Sequence, residues 1–171
     1  MPGFINMHNH IYSTFARGLS INGYHPKNFM DILEGQWWRI DRTLNLDDSY
    51  HSAKIAYLDS IKNGVTTVFD HHASYGAIEG SLTQLSNAAD ELGVRTCLCY
   101  EVSDRDGEEK MKAAVKENAD FIKASAARND DMQKAMMGMH AAFTLSDKSL
   151  EHCAANTPEG VGYHIHIAED I

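Results

Sequence analysis

Apolar positions along this chain switch repeatedly between two spacings. Short runs of β-branched, aromatic and aliphatic residues alternate with longer stretches where apolar residues recur every three or four positions, the marks of strand and helix in turn. Residues 4–11 follow Pro2-Gly3 and read as a first strand. A loop with Gly and Asn over 19–26 leads into helical spacing over 28–44, carried by Phe29, Ile32, Leu33, Trp37 and Ile40. Residues 47–63 form a clearer helix through Tyr50, Ala53, Ala56 or Tyr57, and Ile61, with Gly64 placed to cap its C-terminus. The β-branched run 65–69 is a second strand. Helix 78–92 ends at Gly93, strand 94–102 follows, and helix 108–126 buries Val115, Ala119 and Ile122. Strand 136–143, helix 147–155 with Ser146 as its N-cap, and strand 161–168 complete the pattern.

Strand-helix alternation of this kind implies parallel strands joined by helical crossovers. An open doubly wound sheet and a (β/α)8 barrel both fit. The strands are near-continuous apolar runs, as expected where helices cover one face and further protein the other. No GxGxxG follows the first strand and no Walker motif occurs, which disfavours a nucleotide-binding open sheet. In either architecture ligands bind at the C-terminal ends of the strands, and the polar residues of interest fall there.

Composition narrows the function classes. The chain has 171 residues, 43% of them hydrophobic and 23% charged, which is ordinary globular usage. Fifteen Lys and Arg against 24 Asp and Glu leave a net charge of −9, so nucleic acid and anionic membrane are not expected partners. No apolar stretch approaches the roughly 20 residues of a membrane span. The N-terminus lacks the basic and apolar regions of a signal peptide, so a cytoplasmic location is expected. Cys97, Cys99 and Cys153 lack the spacing of a disulfide framework or zinc knot and read as small buried hydrophobes.

Ten histidines stand out, several in tight pairs. His8 and His10 bracket Asn9 at the end of the first strand, where residues i and i+2 share a face. Two neutral imidazoles so placed can grip one divalent cation. A second pair, His164 and His166, recurs in the last strand, followed three residues later by Glu169. There a carboxylate either shuttles protons to and from a metal-activated water or is a solvated loop acid. His140 ends the 136–143 strand as a candidate ligand or substrate donor. Asp70-His71-His72 ends the second strand, and spacing alone leaves open which histidine faces a pocket. Trp37 and Trp38 read as helix packing.

These residues resemble a known family. Pro2-Gly3-Phe4-Ile5-Asn6-Met7-His8-Asn9-His10 is similar to the PGxIxxHxH opening of the amidohydrolase superfamily, and Gly64-Val65-Thr66-Thr67-Val68 to its GxTT second strand. His140-Ala141-Ala142-Phe143-Thr144 resembles its HxPYT strand, with Ala142 in place of proline. His166-Ile167-Ala168-Glu169 resembles the HxxE strand of the aminohydrolase branch. The likeness spans essentially 1–171 and points toward the mononuclear aminohydrolases and chlorohydrolases, nearest those linked with selenium metabolism.

The resemblance implies an α/β fold of the (β/α)8 TIM-barrel type, with one domain over 1–171 holding about five βα units. It implies one divalent metal ion, zinc or iron, on His8, His10 and His166. Glu169 would be the catalytic proton shuttle, and His140 would contact substrate, with His72 a weaker candidate. His164 matches no ligand position and is expected to be structural. The implied activity is hydrolysis of carbon–nitrogen bonds other than peptide bonds. It would deaminate an amidine-like or heterocyclic small molecule by attack of metal-bound hydroxide. The family adds a strand-six histidine, a strand-eight aspartate and flanking β-sandwich segments that this sequence does not contain, and a closed barrel needs about 200 residues or more. The sequence therefore predicts a partial barrel, inactive alone, with a second copy or a complementing chain as candidate partner. The alternatives are a non-catalytic metal-binding remnant and an open-sheet α/β binding module.

Overall fold

A computed structural model describes residues 1–169. Six parallel strands form a curved wall backed by helices. β1 (Phe4–Asn9), β2 (Val65–His72), β3 (Arg95–Tyr100) and β4 (Gln133–Ala135) hydrogen-bond in that order, and β5 (Met137–Ala141) pairs with β6 (Tyr163–His166). Val102 bridges in parallel to Met139 and ties the two ladders into one wall. The helices are α1 (Phe29–Ile32), α2 (Trp38–Thr43), α3 (Leu46–Lys62), α4 (Ser81–Leu92), α5 (Glu108–Ala126) and α6 (Asp147–Ala155). The last two have the limits that periodicity predicts.

Local chemistry accounts for the element ends. Asn45 and Asp48 form a reciprocal capping box on α3, their side chains accepting from each other's backbone N–H at 3.0 and 2.9 Å. Gly64 and Gly93 take left-handed φ of 76° and 69° and end α3 and α4. Ser146 accepts from Ser149 N–H at the start of α6.

Three details depart from the sequence reading. The first strand stops at Asn9, because Ile11 N–H donates to the Asp70 carboxylate at 2.7 Å and leaves the ladder, so Ile11–Ala16 coil into a 3-10 turn. The 28–44 helix is interrupted by a π turn over Leu33–Trp37, where the Tyr24 ring lies against Gly35 so closely that a Cβ would stand 2.2 Å from it. The expected 136–143 strand is shorter, Met137–Ala141, and runs into a 3-10 turn over Ala142–Thr144; a separate short strand, Gln133–Ala135, precedes it, offset at Met136.

The offset is bridged from behind by α5. The fully buried Asn118 amide accepts from Tyr100 N–H at 2.8 Å and Gly138 N–H at 3.2 Å, and donates to the Tyr100 carbonyl at 2.9 Å. It thus satisfies the Tyr100 and Gly138 backbone groups where β3 and β5 lie close but do not pair with each other. The core lies between wall and helices: Tyr57, Leu82, Leu85, Leu98, Val102 and Met137 are essentially inaccessible. On the β1 edge, Phe4, Ile5 and Met7 are about 60% exposed. Among the described residues no helix is long and apolar enough to cross a membrane.

Candidate metal centre

The C-terminal ends of β1, β2, β5 and β6, with the residue after β3, converge on one cluster of imidazoles. The two-residue repeat of β1 puts His8 and His10 side by side, their Nε2 atoms 3.1 Å apart. From β6, His166 Nε2 stands 3.1 Å from His8 Nε2. Ligand atoms of His8, His10 and His166 all lie within 4.8 Å of one another. The structure therefore brings together the three histidines that the family motifs single out.

Proton accounting tests whether this trio suits a cation. His10 Nδ1 donates to the His71 carbonyl at 2.9 Å and His166 Nδ1 to the His140 carbonyl at 2.6 Å. With Nδ1 protonated, each neutral ring presents a bare Nε2 lone pair to His8. With all three rings neutral, His8 Nε2 can donate to one of them at most, which leaves one nitrogen pair at 3.1 Å lone pair to lone pair. A positive charge among them removes the repulsion, and three neutral imidazole nitrogens are the donor set of zinc and iron. The arrangement fits a divalent ion.

The surroundings keep His8 neutral and set a carboxylate against His10. Burial pulls His8 down to about 4, reinforced by His10, His166 and His164. Burial acts to lower His10 as well, but the hydrogen bond and charge of Glu101, with Asp70, outweigh it and raise the ring to about 9. Glu101 itself is buried, which acts to raise it, yet His140, His10 and His71 hold it well below the usual carboxylate range.

The other expected residues fall in different places. Glu169 lines a cleft of about 320 Å³ together with His8, His10, His140 and His166. Its Oε2 is buried with no hydrogen-bond partner among the described residues, and burial raises its pKa. His140 lines the same cleft, with Nδ1 2.9 Å from the Thr144 hydroxyl. His72 does not join them. It lies on the opposite face of β2, fully buried, its Nε2 3.0 Å from Ser74 Oγ and its ring between those of Tyr12 and Tyr100. His71 is the member of the pair that turns toward the cluster, with Nδ1 3.3 Å from His166 Nε2. His164 stacks on His71 at 4.5 Å and its Nε2 meets His8 Nδ1 at 2.9 Å, so it braces His8.

Two participants escape the sequence reading. Glu101 directly follows β3 and touches three of the histidines, and an acid at a strand's C-terminal end was the available signal. Trp37, read as packing, lines the cleft with Tyr12, Phe29 and Leu33, whereas Trp38 is buried beside the Arg105 guanidinium. The cleft thus has an imidazole and carboxylate floor and an aromatic wall.

Comparison with known proteins places this geometry. The amidohydrolase family model matches residues 1–171. A 5'-deoxyadenosine deaminase of Methanosarcina barkeri is 29% identical over 170 residues, covering 99% of this chain and 37% of the relative. A guanine deaminase of E. coli superposes with a TM-score of 0.75 at 15% identity, covering 99% of this chain and 38% of that one. An adenosine deaminase from Xanthomonas campestris with bound zinc superposes with a TM-score of 0.75 at 18% identity, covering 97% and 36%. The chain spans about 37% of the length of the curated relatives it matches.

Proposed function

Because the chain belongs to the amidohydrolase family, we propose that it holds one divalent ion, zinc or iron, on His8, His10 and His166 and serves deamination of a heterocyclic or amidine-like small molecule, hydrolysing a carbon–nitrogen bond other than a peptide bond. The observation that carries the reading is the convergence of the Nε2 atoms of His8, His10 and His166, the last two on rings whose Nδ1 donates to a backbone carbonyl. The zinc in a similar solved structure and the deaminase names of the relatives support it.

A bound ion would supply Lewis acidity that makes a water nucleophilic near neutral pH. The remaining work belongs to side chains. The His71 and His140 carbonyls orient His10 and His166 through Nδ1. Glu169 takes a proton from the attacking water at Oε2 and delivers it to the departing amine. Burial lifts its pKa toward the working pH of a proton shuttle. His140 stands across the cleft as a donor to the oxyanion that develops at the attacked carbon. Phe29 and Trp37 offer a planar substrate an apolar wall and keep water from the reacting atoms.

Metal analysis of the purified chain tests the reading. We expect one equivalent of zinc or iron in the wild type and none in the His8→Ala/His10→Ala double variant. A wild-type chain that takes up no metal refutes it. Ammonia release over purines, pyrimidines and triazines tests the substrate class.

A further inference from the structure

We propose that Glu101 is a positioning residue for this centre, holding the ligand His10 and the substrate-facing His140 with a single carboxylate; the proposal rests on the metal-centre reading above. Oε1 lies 3.2 Å from His10 Nδ1 and 3.8 Å from His71 Nδ1, while Oε2 lies 3.6 Å from His140 Nε2. One side chain just after β3 therefore spans side chains at the C-terminal ends of β1, β2 and β5.

Its own placement is rigid. Glu101 N–H donates to the His72 carbonyl at 2.8 Å, and the Tyr75 hydroxyl donates to the Glu101 carbonyl at 2.7 Å. The side chain is 3% exposed. A carboxylate is costly to bury unless hydrogen-bonded partners compensate it, and the charged or proton-bearing groups within reach of this one are imidazoles of the site. His10 Nδ1 faces both the His71 carbonyl at 2.9 Å and this carboxylate at 3.2 Å, and a carboxylate behind a ligating imidazole reinforces its orientation and makes the distal nitrogen a stronger donor. For His10 the distal nitrogen is Nε2, the atom that meets His8. Glu101 is not read as a ligand itself. The His10 nitrogen nearest to it is Nδ1, which donates to the His71 carbonyl at 2.9 Å.

Cobalt(II) titration of the chain tests the role, with chelator competition giving the dissociation constant, the d–d spectrum reporting ligand geometry, and circular dichroism confirming the fold. Wild type should bind one equivalent. Glu101→Gln should still bind one equivalent, about 10–100-fold more weakly, with a displaced d–d band. Glu101→Asp, which keeps the charge but shortens its reach, should fall between them. Glu117→Gln is the control: Glu117 is a buried carboxylate that, among the described residues, accepts from the Gly80 and Leu82 amides away from the cluster, and its loss should leave cobalt affinity unchanged. Glu101→Gln binding within about twofold of wild type overturns the positioning role alone. A second equivalent that disappears in Glu101→Gln makes Glu101 a ligand and also overturns it. If neither Glu101 variant folds, Glu101 belongs to the core and the proposal falls. No cobalt binding by the wild type overturns the metal-centre reading itself.

Discussion

Asn118→Ala should strongly destabilise this chain, although the residue touches no part of the candidate site. The alanine removes an amide that accepts from Tyr100 and Gly138 N–H and donates to the Tyr100 carbonyl, as well as a fourth bond at 3.1 Å to the Ala114 carbonyl. Ala114 keeps its helical partner one turn on, so its loss is minor. The three strand groups lose theirs inside a fully buried region. A buried polar group without a partner costs about 1–3 kcal/mol, so three set a scale of about 3–6 kcal/mol once a water admitted to the vacancy recovers part of the loss. Domains of this kind have about 5–15 kcal/mol in all, so the loss is a large share of the total. Urea denaturation followed by far-UV circular dichroism measures the effect. With a slope of about 2–3 kcal/mol per molar, the midpoint should fall by about 1–3 M. Hydrogen exchange should show loss of protection centred on the Tyr100 and Gly138 amides. A destabilisation below about 1 kcal/mol, typical of an ordinary substitution, would refute the account and mean that β3 and β5 can pair without the inserted amide.

Two further predictions concern the same wall. His72 is held to about 3 by complete burial, against 6.5 for a free imidazole. It stays neutral in the folded chain while the unfolded chain takes up a proton below 6.5, so its contribution is intact above that pH and is lost on acidification. At pH 5 the loss should be about 2 kcal/mol, from about 1.4 kcal/mol per pH unit below 6.5. The acid slope of the urea midpoint should flatten by that amount in His72→Gln; an unchanged slope would clear His72 of the effect. Gly138→Ala would set a Cβ 2.3 Å from the Tyr100 carbonyl oxygen and 2.8 Å from its carbon, backbone atoms that cannot rotate away. A loss of about 1–3 kcal/mol is expected in thermal or urea melts, and a neutral outcome would mean that β5 can move off β3 at no cost.

Much of this protein can be read from local spacing. A period of two or of three to four depends only on neighbours along the chain, so it revealed the alternation of strands and helices and placed α5 and α6 to the residue. The same period of two put His8 with His10 and made His166 the matching residue of a second pair. The tertiary structure decided what crosses between elements. Period alone states that His71 and His72 face opposite ways, but only the register of β2 against β1 and β3 turns His71 inward and seals His72 behind the wall. Glu101 meets His10 and His140 because three strands distant in sequence end at one level. Asn118 replaces strand pairing because β4 and β5 are offset, a matter of how α5 seats on the sheet. Sequence therefore determined which residues carry the chemistry on each strand. Long-range packing determined which face each turns to the cleft, because a side chain's direction within a strand is relative until its neighbours set the zero.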